Sequence, residues 1–170
     1  MNRKNLLLIL IFLLIGFGII YILNQKDAGG GTESTDEVKL YYSTKDAMYL
    51  KAEIRKIENY SNKYEATIKE LINGPVSSDL THTIPEGVKL LDIKIEGNRA
   101  ILNFNRALVD NHWGGSTGEI LTVYSIVNTI TQFPEIETVR ILIEGKEIET
   151  LAGHLDLSTD LSAAEGPVKK

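Results

Sequence analysis

The sequence predicts an α+β domain, a small mixed sheet covered by two helices on one face. Three observations carry this. Short stretches alternate apolar and polar residues with period two, as in Val38-Lys39-Leu40-Tyr41-Tyr42 and Leu91-Asp92-Ile93-Lys94-Ile95. Two longer stretches carry apolar residues at helical spacing, Tyr64 to Ile72 and Ile120 to Ile130. The elements run strand, strand, helix, hairpin, helix, strand, strand, an order that suits a layered α+β sandwich better than a doubly wound nucleotide fold.

Taken in order, the first strand presents Val38, Leu40 and Tyr42 to one side. The second alternates Leu50, Ala52 and Ile54 with Lys51, Glu53 and Arg55, so both read as half-buried. Asn62 is placed to cap the first helix, with Glu65 reaching back. Tyr64, Ile68, Leu71 and Ile72 form its apolar stripe, and Asn73-Gly74-Pro75 ends it.

Leu91, Ile93 and Ile95, the turn Gly97-Asn98, and Ala100, Leu102 and Phe104 make a hairpin. The second helix runs from about Ser116 to Phe133. Ile120, Val123, Tyr124, Val127 and Ile130 face the core, while Thr122, Ser125, Asn128, Thr129 and Gln132 line the other side without a single charge. Pro134 stops it. Val139, Ile141 and Ile143 then form a strand that turns at Glu144-Gly145-Lys146.

Ahead of this domain, Arg3 and Lys4 precede eighteen uncharged residues, Leu6 to Leu23. At 1.5 Å per residue they span roughly 27 Å, close to the hydrocarbon thickness of a bilayer. No small-x-small cleavage site follows, so an uncleaved signal anchor is expected. The basic N-terminal flank keeps residues 1–5 in the cytoplasm and sends the rest outside. Residues 24–37 read as a flexible linker, 38–161 as the folded domain and 162–170 as a disordered tail.

The net charge of -5 and the dispersed lysines and arginines argue against nucleic acid as a partner. The absence of cysteine excludes disulfides, thiolate metal sites, a cysteine nucleophile and a lipid-modified cysteine. His82, His112 and His154 are too far apart for a local metal motif, and no cofactor is implied. Asp110 lies near His112, but there is no G-x-S-x-G elbow, and no catalytic residue is assigned.

The segment "NHWGGSTGE", residues 111–119, could offer backbone N–H groups to an anion at a helix start. It lacks the lysine and spacing of a phosphate loop, and Glu119 places a negative charge in the first turn. It therefore reads as a flexible helix entry capped by Ser116 or Thr117. Trp113 either anchors a partner or covers the end of the core. With the uncharged face of Thr122, Ser125, Asn128 and Thr129 it makes the candidate partner surface.

The ordered residues resemble the GerMN domain family of sporulation and spore-germination proteins of endospore-forming bacteria. The resemblance rests on "LYY" at 40–42, "LINGP" at 71–75, "IPEGVKLL" at 84–91, "AILNF" at 100–104, "VNTITQFPEIETVRI" at 127–141 and "LAGHLDLS" at 151–158. It implies a fold similar to the ring-building motif of secretion-system proteins and a non-enzymatic, extracytoplasmic role. That role is in assembling envelope or sporulation-complex proteins, with a homo-oligomer or ring assembly compatible with it. Many relatives are lipoproteins, whereas anchoring here must rest on Leu6 to Leu23; the best-known member carries two such domains. A sensor for a small ligand or peptidoglycan fragment is the alternative reading.

Overall fold

A computed structural model describes residues 35–163 and 167–168. The expected span Leu6–Leu23 and most of the expected linker lie outside the described residues. Among those described, no helix is long and apolar enough to cross a membrane.

The elements are β1 (Thr35–Thr44), β2 (Leu50–Glu58), α1 (Lys63–Asn73), β3 (Leu80–Thr81), β4 (Leu90–Glu96) and β5 (Arg99–Phe104). They continue as α2 (Ala107–Asp110), α3 (Ser116–Ile130), β6 (Thr138–Ile143) and β7 (Lys146–Glu147). The α+β class stands, but the strands form two sheets, ordered β2-β1-β3 and β4-β5-β6-β7. Only the second is mixed, through the parallel pair β5–β6.

The reason lies at the edge of β1. Its N–H and C=O groups that point away from β2 meet β3 only at Ser43 and Thr44. Further back they meet side chains of α3 and of the turn that follows it. Thr129 Oγ1 accepts the Tyr41 N–H at 3.1 Å, Gln132 Oε1 accepts the Lys39 N–H at 2.7 Å, and Gln132 Nε2 donates to the Lys39 carbonyl at 2.9 Å. The helix and the turn after it take the place of a neighbouring strand and satisfy these edge groups of β1.

Local signals account for the element ends. Asn62 Oδ1 accepts the N–H groups of Tyr64 and Glu65, and Gly74 closes α1 at φ 89°. Gly97 turns the β4–β5 hairpin at φ 64°. Glu144 and Gly145, both at positive φ, turn β6 into β7 as a primed hairpin turn requires.

The core forms where matching faces meet. Ala100, Leu102 and Phe104 of β5 lie in register with Val139, Ile141 and Ile143 of β6, and all six are buried. Leu40 and Tyr42 of β1 join them, as do Ile126 and Ile130 of α3.

Three expectations need correction. β1 begins at Thr35, inside the expected linker, and Pro167 of the expected tail accepts the Leu50 N–H at 2.8 Å.

On β2 the expected faces are exchanged at residues 53–55, although Leu50 is buried as expected. The register sets Glu53 and Arg55 beside Leu40 and Val38 on the core side, while Ile54 is 66% exposed. The inward charges are accommodated by mutual pairing. Arg55 bonds Glu53, Glu70 and the Gly74 carbonyl, and Glu53 accepts the N–H groups of Val76 and Ser77. Burial pushes the Glu53 carboxyl up, but these N–H groups and Arg55 outweigh it and leave it below its usual range.

The third concerns the start of α3. Gly115 holds the N-cap position at φ 79° with no side-chain cap, in place of Ser116 or Thr117. Two successive glycines at positive φ, Gly114 and Gly115, form the bend instead.

Candidate functional site

The segment between α2 and α3 places Trp113 outward, 57% exposed. Its backbone is held from behind by His112. The ring Nδ1 accepts the Gly114 N–H at 3.0 Å, and Nε2 lies 3.2 Å from Thr122 Oγ1, which donates to the Thr83 carbonyl at 2.8 Å. Burial pushes the His112 pKa down, with the Glu119 charge opposing it only in part.

Trp113 stands on the rim of an open groove of about 590 Å³, with Ile72 of α1, Ile84 and Pro85 as its apolar walls. His82, Glu86 and Asn111 are its polar members. Asn111 Nδ2 is already donated to the Glu86 carbonyl at 2.8 Å. Asn105 pins the same loop, donating to the Gly87 carbonyl and accepting the Lys89 N–H, each at 2.9 Å. The His82 ring lies over Gly74, so close that a Cβ there would meet Cε1 at 1.9 Å. The groove thus joins the end of α1, the 82–87 segment and the approach to α3.

The four helix residues assigned to the same surface are not on it. Thr122, Ser125, Asn128 and Thr129 are 2%, 0%, 5% and 0% exposed. α3 packs against β1, β2, β6 and α1, so both its apolar and its polar sides face protein. Thr122 bonds Thr83, Ser125 donates to the Thr122 carbonyl, and Thr129 serves Tyr41. Asn128 Nδ2 and Thr83 Oγ1 have no partner among the described residues. The absence of charge reflects burial, because a lysine or glutamate there would leave water without a counter-ion.

The anion question at the helix start is resolved from inside the chain. Glu119, fully buried in the first turn of α3, accepts the N–H groups of Leu151, Ala152 and His154 at 2.8, 3.0 and 2.9 Å. Three convergent backbone donors form a nest for a carboxylate that the chain itself supplies. "LAGH" is therefore the counterpart of the helix entry. The three histidines stay apart: His82 lines the groove, His112 lies behind Trp113, and His154 belongs to the nest by its backbone. Among the described residues, no three His, Asp or Glu side chains group as metal ligands.

Residues 39–149 match the family described as Germane, sporulation and spore germination. The chain belongs to this family. Within it, the spore germination protein GerM of Bacillus subtilis is 30% identical over 133 residues, which are 73% of this chain and 36% of GerM. The chain thus spans about a third of the length of that curated relative. The crystal structure of a candidate lipoprotein from Clostridium perfringens is 28% identical, with a TM-score of 0.55 over 78% of this chain and 91% of that one. The tandem GerMN domains of Bacillus subtilis GerM match with a TM-score of 0.68 at 22% identity, over 79% of this chain and 48% of theirs. That likeness concerns the fold. The fold here shares the α+β class of those domains, and the segments "LINGP" and "IPEGVKLL" supply Ile72, Ile84 and Pro85 of the groove. Residue spacing did not reveal this grouping, because the walls come from two segments distant from Trp113. The apolar residues beside Gly74 and Pro85 were its only local trace.

Proposed function

We propose that this chain is a membrane-anchored, extracytoplasmic interaction domain without catalytic function, which helps assemble an envelope protein complex during sporulation or spore germination. Family membership supports the process, and Leu6 to Leu23 has the length and apolarity of the anchor. The observation that carries the docking role is Trp113, a large exposed aromatic on the rim of an apolar-walled groove. Exposed aromatics of this kind are the side chains that dominate protein interfaces.

A small-ligand sensor would hold polar groups free to converge on its ligand. Here the Asn111 amide is spent on the Glu86 carbonyl of the neighbouring 82–87 segment, which favours the protein-docking reading.

Trp113→Ala in the native host tests it. The expected result is at least a tenfold drop in heat-resistant or germination-competent spores, with protein level and melting temperature equal to the parent. Parent-like spores from a correctly accumulated variant would overturn the assignment.

A further inference from the structure

Both ring nitrogens of His112 are committed, and the commitments allow one proton arrangement. Nδ1 accepts the Gly114 N–H, so it carries no proton. Nε2 then bears the hydrogen and donates it to Thr122 Oγ1, whose own hydrogen goes to the Thr83 carbonyl. A second proton on the ring must go to Nδ1. It would set two donors against each other across 3.0 Å.

The bend is held by the Gly114 bond and, one residue on, by the Gly115 carbonyl, which accepts the Glu119 N–H at 3.0 Å. Gly114 and Gly115 sit at φ 78° and 79°, and a Cβ at either would find no atom within 4 Å. Trp113 precedes them, its ring centroid 5.6 Å from that of His112. We propose that protonation of His112 releases the Gly114 bend and moves Trp113, so that acidification reshapes the rim of the groove.

The charges around the ring set where this occurs. From α3, Glu119 favours the cation, as does the Gly118 backbone; from the 82–85 segment the uncharged Thr83 carbonyl reaches Thr122; and on α2, Asp110 is engaged with Arg106 at 3.2 Å. Burial outweighs the Glu119 charge and puts the transition below the ordinary histidine value of 6.5. The neutral, latched form therefore holds above that value, and release comes as the pH falls.

Trp113 is the chain's only tryptophan, so its emission reports the bend directly. Titrating the full chain in detergent micelles from pH 8 to 4, the expected result is a one-proton shift in emission with a midpoint below 6.5. His112→Asn retains an acceptor for the Gly114 N–H and cannot titrate, so its emission should stay at the neutral-pH value throughout. His82→Asn and His154→Asn should keep the transition. A flat titration of the parent, or a transition surviving in His112→Asn, overturns the proposal. If His112→Asn does not fold, the ¹⁵N-labelled parent decides. A Gly114 amide shift following the emission midpoint supports the latch, and an unmoved Gly114 amide overturns it. Because the readout is spectroscopic, it is independent of whether the groove docks a partner.

Discussion

The carboxylate of Glu119, in the first turn of α3, accepts the backbone N–H of Leu151 at 2.8 Å and of His154 at 2.9 Å, one on each oxygen. The start of the central helix and the "LAGH" segment are thereby tied through buried, charge-assisted hydrogen bonds. Glu119→Gln keeps the shape but replaces one acceptor oxygen with a donor. The expected loss is about 1–3 kcal/mol, the cost of leaving a buried donor unpaired. Urea denaturation measures it, and an unchanged midpoint would show that the nest contributes nothing.

Glutamate at Ser125 or Asn128 is expected to destabilise strongly. Both sites are at most 5% exposed, so an incoming carboxylate would lose its water. The cost should reach about 4 kcal/mol or more for each. Soluble, parent-like expression of either variant would mean that α3 has a solvated face.

Thr129→Val tests whether α3 serves as the missing neighbour of β1. Valine keeps the volume and loses the oxygen that accepts the Tyr41 N–H. About 1–3 kcal/mol should be lost, and the Tyr41 amide should exchange faster than in the parent. A Tyr41 amide as protected as before would refute the role.

Gly74→Ala joins fold and groove. Its φ of 89° with ψ 173° belongs to glycine, and the new Cβ would displace the His82 ring. Backbone strain of about 1–3 kcal/mol is expected. The His82 ring resonances should shift as well; a stability loss without that shift would contradict the packing described.

Acid should weaken the domain in a defined window. Lys63 and then Tyr64, both bonding Glu135, hold its carboxyl at about 2 instead of 4.5. A depressed folded-state value means that the contribution is complete above pH 4.5 and is lost as the pH falls towards 2. Glu53, also below its usual range, acts in the same direction. Glu135→Gln should flatten the stability profile in this window; an unaltered profile would place the acid sensitivity elsewhere.

Much of this fold follows from neighbours along the chain. The Asn62 cap, the Gly74 stop, the Gly97 turn and the alternation of Ala100, Leu102 and Phe104 are local chemistry, and each appears where the residues predict it. For Trp113 the neighbours left two readings open, and its 57% exposure decides against a core cover.

Other features depended on what packs against what. Periodicity divides a helix into two faces but does not say which one meets water, and α3 buries both, with its Thr129 and Thr122 hydroxyls serving the backbone of β1 and of Thr83. On β2, pairing register outweighed hydrophobicity, turning Ile54 outward and Arg55 inward to a carboxylate on α1. The groove and the Glu119 nest each join segments far apart in the chain, so only tertiary structure could assemble them. The sequence alone determined where the chain bends and which residues are apolar. The tertiary fold decided which polar groups lose water, because that depends on partners brought from a distance.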